Sequence, residues 1–149
     1  MFAKTLLQNR PKRVITATPD TTIEEAMGIL IENRIGCLPI VENGGKLVGI
    51  LGDQDIFMKV YETRGQYQSL TVKDVMKTDL IVALPEDDIS YIAAVMEKNW
   101  LRCVPIVKGG TVIGIVSLRD ISKTLVQNVE VDNRYLMNML EKRDKSGDI

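Results

Sequence analysis

The sequence is written twice, and this duplication constrains the fold more than any single motif. At an offset of 66 residues, VITATPDTTIEEAMGILIENRIGCLPIV (14–41) aligns with LIVALPEDDISYIAAVMEKNWLRCVPIV (80–107), with nine of 28 positions identical. Dropping one residue from the turn ENGGK changes the offset to 65, and GKLVGILGDQDI (45–56) then matches GTVIGIVSLRDI (110–121) at five of twelve. Ordinary residue usage would give about two or three identities over the whole length. One structural unit has therefore been copied, and the fold must be built from two related halves.

Each copy reads in the same order. A short extended lead-in precedes an amphipathic helix, on which Ile23, Ala26, Met27 and Leu30, or Ile89, Ile92, Ala93 and Met96, recur at helical spacing. Thr21 followed by Glu24 predicts a capping box at the first of these helices. Two β-rich runs follow, CLPIV and KLVGIL around ENGG, then CVPIV and TVIGIV around KGG, each pair predicting a hairpin. A second helix closes each copy, over 53–62 and 118–127. Upstream, Thr5–Gln8 aligns with Thr71–Asp74, and both predict the first turn of a short capped helix.

A unit of about 60 residues has a marginal core of its own, so the two copies are expected to pack face to face about a pseudo-twofold axis. The expected organisation is repeat one over 5–65, a linker over 66–70, repeat two over 71–128, and a C-terminal helix and tail over 129–149. On a separate last helix, 131–143, Tyr135, Leu136, Met139 and Leu140 form an apolar stripe that must pack on its own module or on a second chain.

Composition removes several functions. The net charge of -1 offers nothing global to attract nucleic acid or an anionic membrane, although residues 1–13 carry Lys4, Arg10, Lys12 and Arg13 with no acid. That basic segment lacks the aromatic interleaving of a single-strand binder. Histidine is absent, which excludes Ser-His-Asp and Cys-His nucleophilic schemes. Cys37 and Cys103 do not stand at metal-ligand spacing and are expected to be two free, buried thiols. No apolar stretch is long enough to span a bilayer and the start does not read as a signal peptide, so a cytoplasmic protein is expected. An enzyme is the weakest reading.

The repeated order, with TPDT and LPED lead-ins, CLPIV and CVPIV strands, GI-hydrophobic strands and VKDVM between the copies, closely resembles a tandem pair of CBS domains, the Bateman module. The resemblance covers residues 5 to about 127. It implies an α+β fold, the CBS-domain fold, of two β-α-β-β-α repeats with short N- and C-terminal helices. It further implies a regulatory or sensor module, usually a homodimer, that binds adenosine-containing ligands in clefts between the repeats. AMP, ADP or ATP come first among these, with NAD and S-adenosylmethionine as further members; neither a catalytic cofactor nor a metal is implied, and a regulated protein partner is left unnamed. The rival reading is a ligand-independent scaffold for protein interaction and dimerisation.

The site residues follow from GIVSLRD (114–120) and its partner GILGDQD (49–55). Serine followed three residues later by an acid, just before a helix, is itself a capping pattern, and this alone accounts for Ser117. Asp120 fits it less well, since Glu and Gln are the stronger partners; an ionised aspartate suits both hydroxyls of a ribose. Phosphate then lies by Ser117 and the helix N-terminus, with Arg119 and Arg102 as cations, or as solvated surface charges. The resemblance pairs the lead-in of one repeat with the aspartate of the other, Ile15 and Thr16 with Ser117 and Asp120, and Ile81 and Val82 with Asp55. Arg10, Lys12 and Arg13 are further candidates for phosphate. The two sites are expected to be unequal, because the second has Gly52 for the hydroxyl and Asp53 to repel an anion. Trp100, which replaces Arg34 of the first copy, is expected to be partly buried by packing.

Overall fold

Where a β-branched, alternating run meets a Gly-rich turn, the chain doubles back, and it does so twice. In the computed structural model, which describes residues 1–10 and 13–147, strands β1 (Cys37–Glu42) and β2 (Lys46–Gly52) form one antiparallel hairpin, and β3 (Cys103–Lys108) and β4 (Thr111–Ser117) form the other. Asn43, Gly44 and Gly45 make the first turn with positive φ, and Gly109 and Gly110 make the second. This difference of one residue is the change of offset in the alignment. Both hairpins carry an irregularity at the same place, Ile40/Val41 and Ile106/Val107. The hairpins share one sheet, ordered β1-β2-β4-β3, joined between the halves at Lys46 and Thr111. The pseudo-twofold axis therefore passes between β2 and β4.

Helices α2 (Ile23–Asn33) and α4 (Ile89–Asn99) lay the predicted stripes on these hairpins. Ile23, Ala26 and Leu30 are buried in one half, and Ile89, Ile92 and Met96 in the other, with Met27 and Ala93 half-covered at the edges. The lead-ins contribute one parallel bridge each, Ala17 to Ile40 and Ala83 to Ile106. The capping box at α2 is made by Thr22 and Glu25 rather than Thr21 and Glu24. TTIEE satisfies the pattern in two registers, and Thr21 Oγ1 instead accepts the backbone N–H of Thr18 at 3.1 Å. Helix α3 (Asp53–Glu62) follows the first hairpin. After the second, α5 runs without a break from Leu118 to Gly147, so the two helices expected over 118–127 and 131–143 are one. No Gly or Pro interrupts residues 118–146, which leaves the helix free to continue. The stripe of Tyr135, Leu136, Met139 and Leu140 stays exposed and does not fold back on its own module.

The segments upstream of each repeat cross over. Ala3 and Leu6 of α1 (Ala3–Gln8), which precedes the first repeat, are buried in the core of the second with Ile89, Ile92 and Ile106. Val72, from the 3-10 turn Val72–Asp74 that opens the second repeat, is buried in the core of the first with Ile23, Leu38 and Leu51. Backbone bonds secure both crossings: Ala3 N–H to Asp87 O at 2.9 Å, and Val72 N–H to Thr21 O at 2.8 Å. Gly114 and Gly49 admit them, since a Cβ there would lie 2.5 Å from Leu7 Cδ2 and 2.5 Å from Met76 Sδ. Thr71 caps its turn through Asp74 as expected. Thr5, by contrast, lies inside α1, whose N-cap is Phe2.

Leu6→Ala therefore removes core from the repeat that its own sequence position does not belong to. We expect a loss of about 2–4 kcal/mol, with faster amide exchange in β3, β4 and α4 than in β1, β2 and α2, measured by hydrogen–deuterium exchange.

Candidate functional site

The crossing of the N-terminal segment brings a cation to the predicted carboxylate. Ser117 is the N-cap residue of α5, and the reciprocal cap is complete: Asp120 N–H donates to Ser117 Oγ at 3.1 Å, while Ser117 N–H and Oγ–H both donate to Asp120 Oδ2 at 2.7 Å. Aspartate closes this box here, so the capping explanation of Asp120 is stronger than its residue type suggested. The second oxygen, Oδ1, pairs with the Arg10 guanidinium, which also donates through Nη1 to the Ile115 carbonyl at 2.8 Å. Partial burial alone would raise the Asp120 pKa; the bonds from Arg10 and Ser117 outweigh it and hold the carboxyl below its ordinary range.

Around this constellation lies an open cleft of about 900 Å3 shared by both repeats. Its apolar wall includes Val14, Ile15, Ile35 and Ile113, and its rim carries Arg10, Arg13, Arg34, Arg102, Arg119 and Lys123 against the single carboxylate Asp120. Thus the cleft unites Ile15 with Ser117, Arg119, Asp120 and Arg102. Thr16 is half-buried and not among its lining residues; Ile81 and Val82, expected at the Asp55 site instead, are half-buried and exposed respectively. Lys12 lies outside the described residues. Arg102 reaches across to the other repeat, where its guanidinium pairs with Asp53 at the start of α3. The Asp53 charge, expected to repel an anion, is therefore compensated.

The first repeat repeats the pattern with different chemistry. Asp55 Oδ2 accepts from Gly52 N–H at 3.0 Å, and Oδ1 pairs with Lys77 Nζ at 3.4 Å. Lys77 belongs to the segment that crosses into this repeat, and its backbone bonds Ile50 in both directions at 2.9 Å. Each aspartate is thus covered by a cation from the segment preceding the other repeat. Only the Ser117 side adds a side-chain hydroxyl.

Two expectations fail. Cys37 and Cys103 are not free thiols: they form a disulfide between the repeats, with Cα atoms 6.7 Å apart. The residues align within the duplication, and the pseudo-twofold axis brings the equivalent positions together. Trp100 is not packed; it ends α4 in the left-handed conformation and is 95% exposed. Arg34, its equivalent at the end of α2, has the same conformation and reaches the cleft. Arg34 and Lys123 are the cleft cations that sequence reasoning missed. Arg34 carried a signal in its alignment with Trp100, whereas Lys123 lies on a helix surface where charge is ordinary.

Comparison with known proteins agrees with this architecture. The CBS domain family profile matches residues 11–62 and 72–127. The CBS domain-containing protein YhcV of Bacillus subtilis is 31% identical over 116 residues, covering 78% of this chain and 81% of that protein. An inosine-5'-monophosphate dehydrogenase of Methanocaldococcus jannaschii is 37% identical over 113 residues, but these are 75% of this chain and 22% of the enzyme. Among solved structures, the CBS domain pair of protein MJ0100, crystallised with 5'-methylthioadenosine and S-adenosyl-L-methionine, superposes with a TM-score of 0.75 at 33% identity, covering 86% of this chain and 98% of that one. Among the described residues no helix is long and apolar enough to cross a membrane.

The lowered pKa of Asp120 sets the sign of its pH dependence. Its contribution to stability is full above the ordinary carboxylate range, about 4, and is lost as pH falls through its lower folded-state value. Asp120→Asn should therefore cost about 1–2 kcal/mol at pH 7, with a gap to the parent protein that narrows towards pH 2 in thermal melts.

Proposed function

Since this chain belongs to the CBS-domain family, we propose that it is a cytoplasmic regulatory module whose cleft binds an adenine nucleotide, AMP, ADP or ATP ahead of NAD and S-adenosylmethionine. The observation that carries this reading is the charge of the cleft: among the described residues, six cations drawn from both repeats face one carboxylate. Even with Arg102 assigned to Asp53, the excess is positive, which attracts phosphate and disfavours a sulfonium cation. The apolar wall of Val14, Ile15 and Ile35 suits a base, Asp120 a ribose hydroxyl pair, and Arg119 with the first turn of α5 the phosphates.

Arg10 is the exchangeable element. It pairs with Asp120 Oδ1; a ribose hydroxyl donating to the same oxygen displaces it, and the freed guanidinium turns to phosphate. Binding therefore exchanges one charge-assisted contact for two. The Asp55 site lacks the hydroxyl and has a lysine that is 66% exposed as its covering cation, so nucleotide should favour the Asp120 cleft. We assign the exposed stripe of α5 to contact with a second copy in a homodimer, whose shape, or affinity for a protein partner, reports occupancy.

A melting scan tests the reading. ATP at 100 times its dissociation constant should stabilise by roughly 2.7 kcal/mol, a shift of about 5–10 °C for a chain of this size, and S-adenosylmethionine by less. No shift with any of these ligands at millimolar concentration would return the module to the scaffold reading. Arg10→Met should weaken ATP about 10- to 100-fold, the loss of one charge-assisted bond, while leaving adenosine binding equal or tighter, as calorimetry would show. For the dimer, Leu136→Glu should yield a folded monomer by light scattering.

A further inference from the structure

We propose that Cys37 and Cys103 form a reversible thiol–disulfide latch at the wall of the cleft, a redox modification site that holds the two repeats in the arrangement that binds ligand. Four observations support it. The bond joins positions 66 residues apart that occupy equivalent places at the starts of β1 and β3, the two strands outermost in the sheet order. It therefore ties together edges that the β ladder leaves apart. Neither cysteine belongs to the two hydrophobic clusters, which the crossing segments already close, so the fold has a core on each side without the bond. Both cysteines line the cleft, and Cys37 is half-exposed. Partly exposed, electropositive surroundings are those in which cysteines exchange, and here Arg34 and Arg102 share the same wall.

The bond also connects directly to the ligand-holding groups. Cys103 is the cross-strand partner of Ser117, which holds Asp120. Cys37 is the cross-strand partner of Gly52, which holds Asp55. Next to the cysteines, the Arg102–Asp53 ion pair spans the same seam, and Asp53 N–H donates to Gly36 O at 2.9 Å. With the disulfide closed, the seam beside the cysteines has a covalent and an ionic tie; with it open, the Arg102–Asp53 pair is the tie left there.

The chemistry balances with a low-molecular-weight thiol of the glutathione class as reductant. Its thiolate attacks Cys37 sulfur, the more exposed of the two, forming a mixed disulfide and releasing Cys103 thiolate. A second thiolate attacks the small-molecule sulfur of that mixed disulfide, releasing Cys37 thiolate and the small-molecule disulfide; the protein dithiol has gained two electrons and, on protonation, two protons. Oxidation is the reverse. Because the cleft is formed with the bond closed, the oxidised protein is the preorganised binder. The coupling to nucleotide rests on the function proposed above; the latch does not.

The test uses the full chain equilibrated across glutathione mixtures from fully oxidised to fully reduced, trapped by alkylation and counted by mass spectrometry, with ATP titrated calorimetrically into each end state. Conversion from no alkylated thiols to two should occur within the series, and the oxidised protein should bind ATP at least about fivefold more tightly, the lower end of couplings between sites. Saturating ATP must then move the midpoint to a more negative potential, by about 30 mV for each tenfold difference in affinity. Cys37→Ser should match the reduced protein; should it fail to fold, reduced parent protein supplies the open state. A chain that never oxidises, or never reduces, overturns the latch, as does equal ATP affinity in the two states. If neither state binds ATP, the nucleotide reading fails separately, and the latch is decided by amide exchange at residues 34–37 and 100–103: faster exchange on reduction supports it, and equal rates overturn it.

Discussion

Each repeat of this protein has its core closed by the segment that leads into the other repeat, and the rest of the structure depends on that exchange. Leu6 lies in the second core and Val72 in the first. Burying such side chains contributes about 1.5–3 kcal/mol each, which is substantial for halves whose cores are small. The exchange also explains why the two hairpins need so little direct pairing, with one strand register, Lys46 to Thr111, between them. Two crossings about a pseudo-twofold axis hold the halves together from opposite sides.

The same crossings build the cleft. A carboxylate at a helix start is common, but here the segment that crosses over supplies a cation to it: Arg10 to Asp120, Lys77 to Asp55. Neither repeat alone contains a complete constellation. The halves nevertheless differ in what they offer. Ser117 gives Asp120 two bonds from one residue, backbone and hydroxyl, where Gly52 gives Asp55 only its N–H. Together with Arg10, these bonds outweigh partial burial and hold the Asp120 carboxyl below its ordinary range.

The duplication, the hairpins and the helical stripes could all be read from the sequence because they rest on local periodicity, with period two in strands and 3.6 in helices. The crossing could not. Apolar residues at 3, 6 and 72 announce burial, but periodicity does not say which of two equivalent cores receives them. The disulfide is hidden for a related reason: the cysteine spacing matches no local motif, although the two residues align at the repeat offset, and a twofold axis makes equivalent positions near it neighbours. The capping register at α2 slipped by one because TTIEE contains the pattern twice. Nothing marks a stop between 127 and 131, where the sequence has neither glycine nor proline, and a helix already nucleated carries through. Ser117, Arg119 and Asp120 stand together in one local run, GIVSLRD, whereas the pairing of Ile15 and Thr16 with them comes from the resemblance; of these two, Ile15 lines the cleft.

A module of this kind transmits occupancy only if its ligand binds two arrangements of the halves unequally. What joins the halves is therefore what a ligand can act on: the crossing segments, the Lys46–Thr111 register, the Arg102–Asp53 pair and the disulfide. Two of these four reach the cleft through side chains, and a third reaches it through Arg10. A ligand that takes Asp120 Oδ1 from Arg10 loosens the end of the N-terminal crossing, while its phosphates draw the cations of both halves towards one another. The first effect opens a tie and the second closes the seam. On the nucleotide reading proposed above, the number of phosphates rather than the adenosine would set their balance, and the charge of the nucleotide would select between arrangements of the halves.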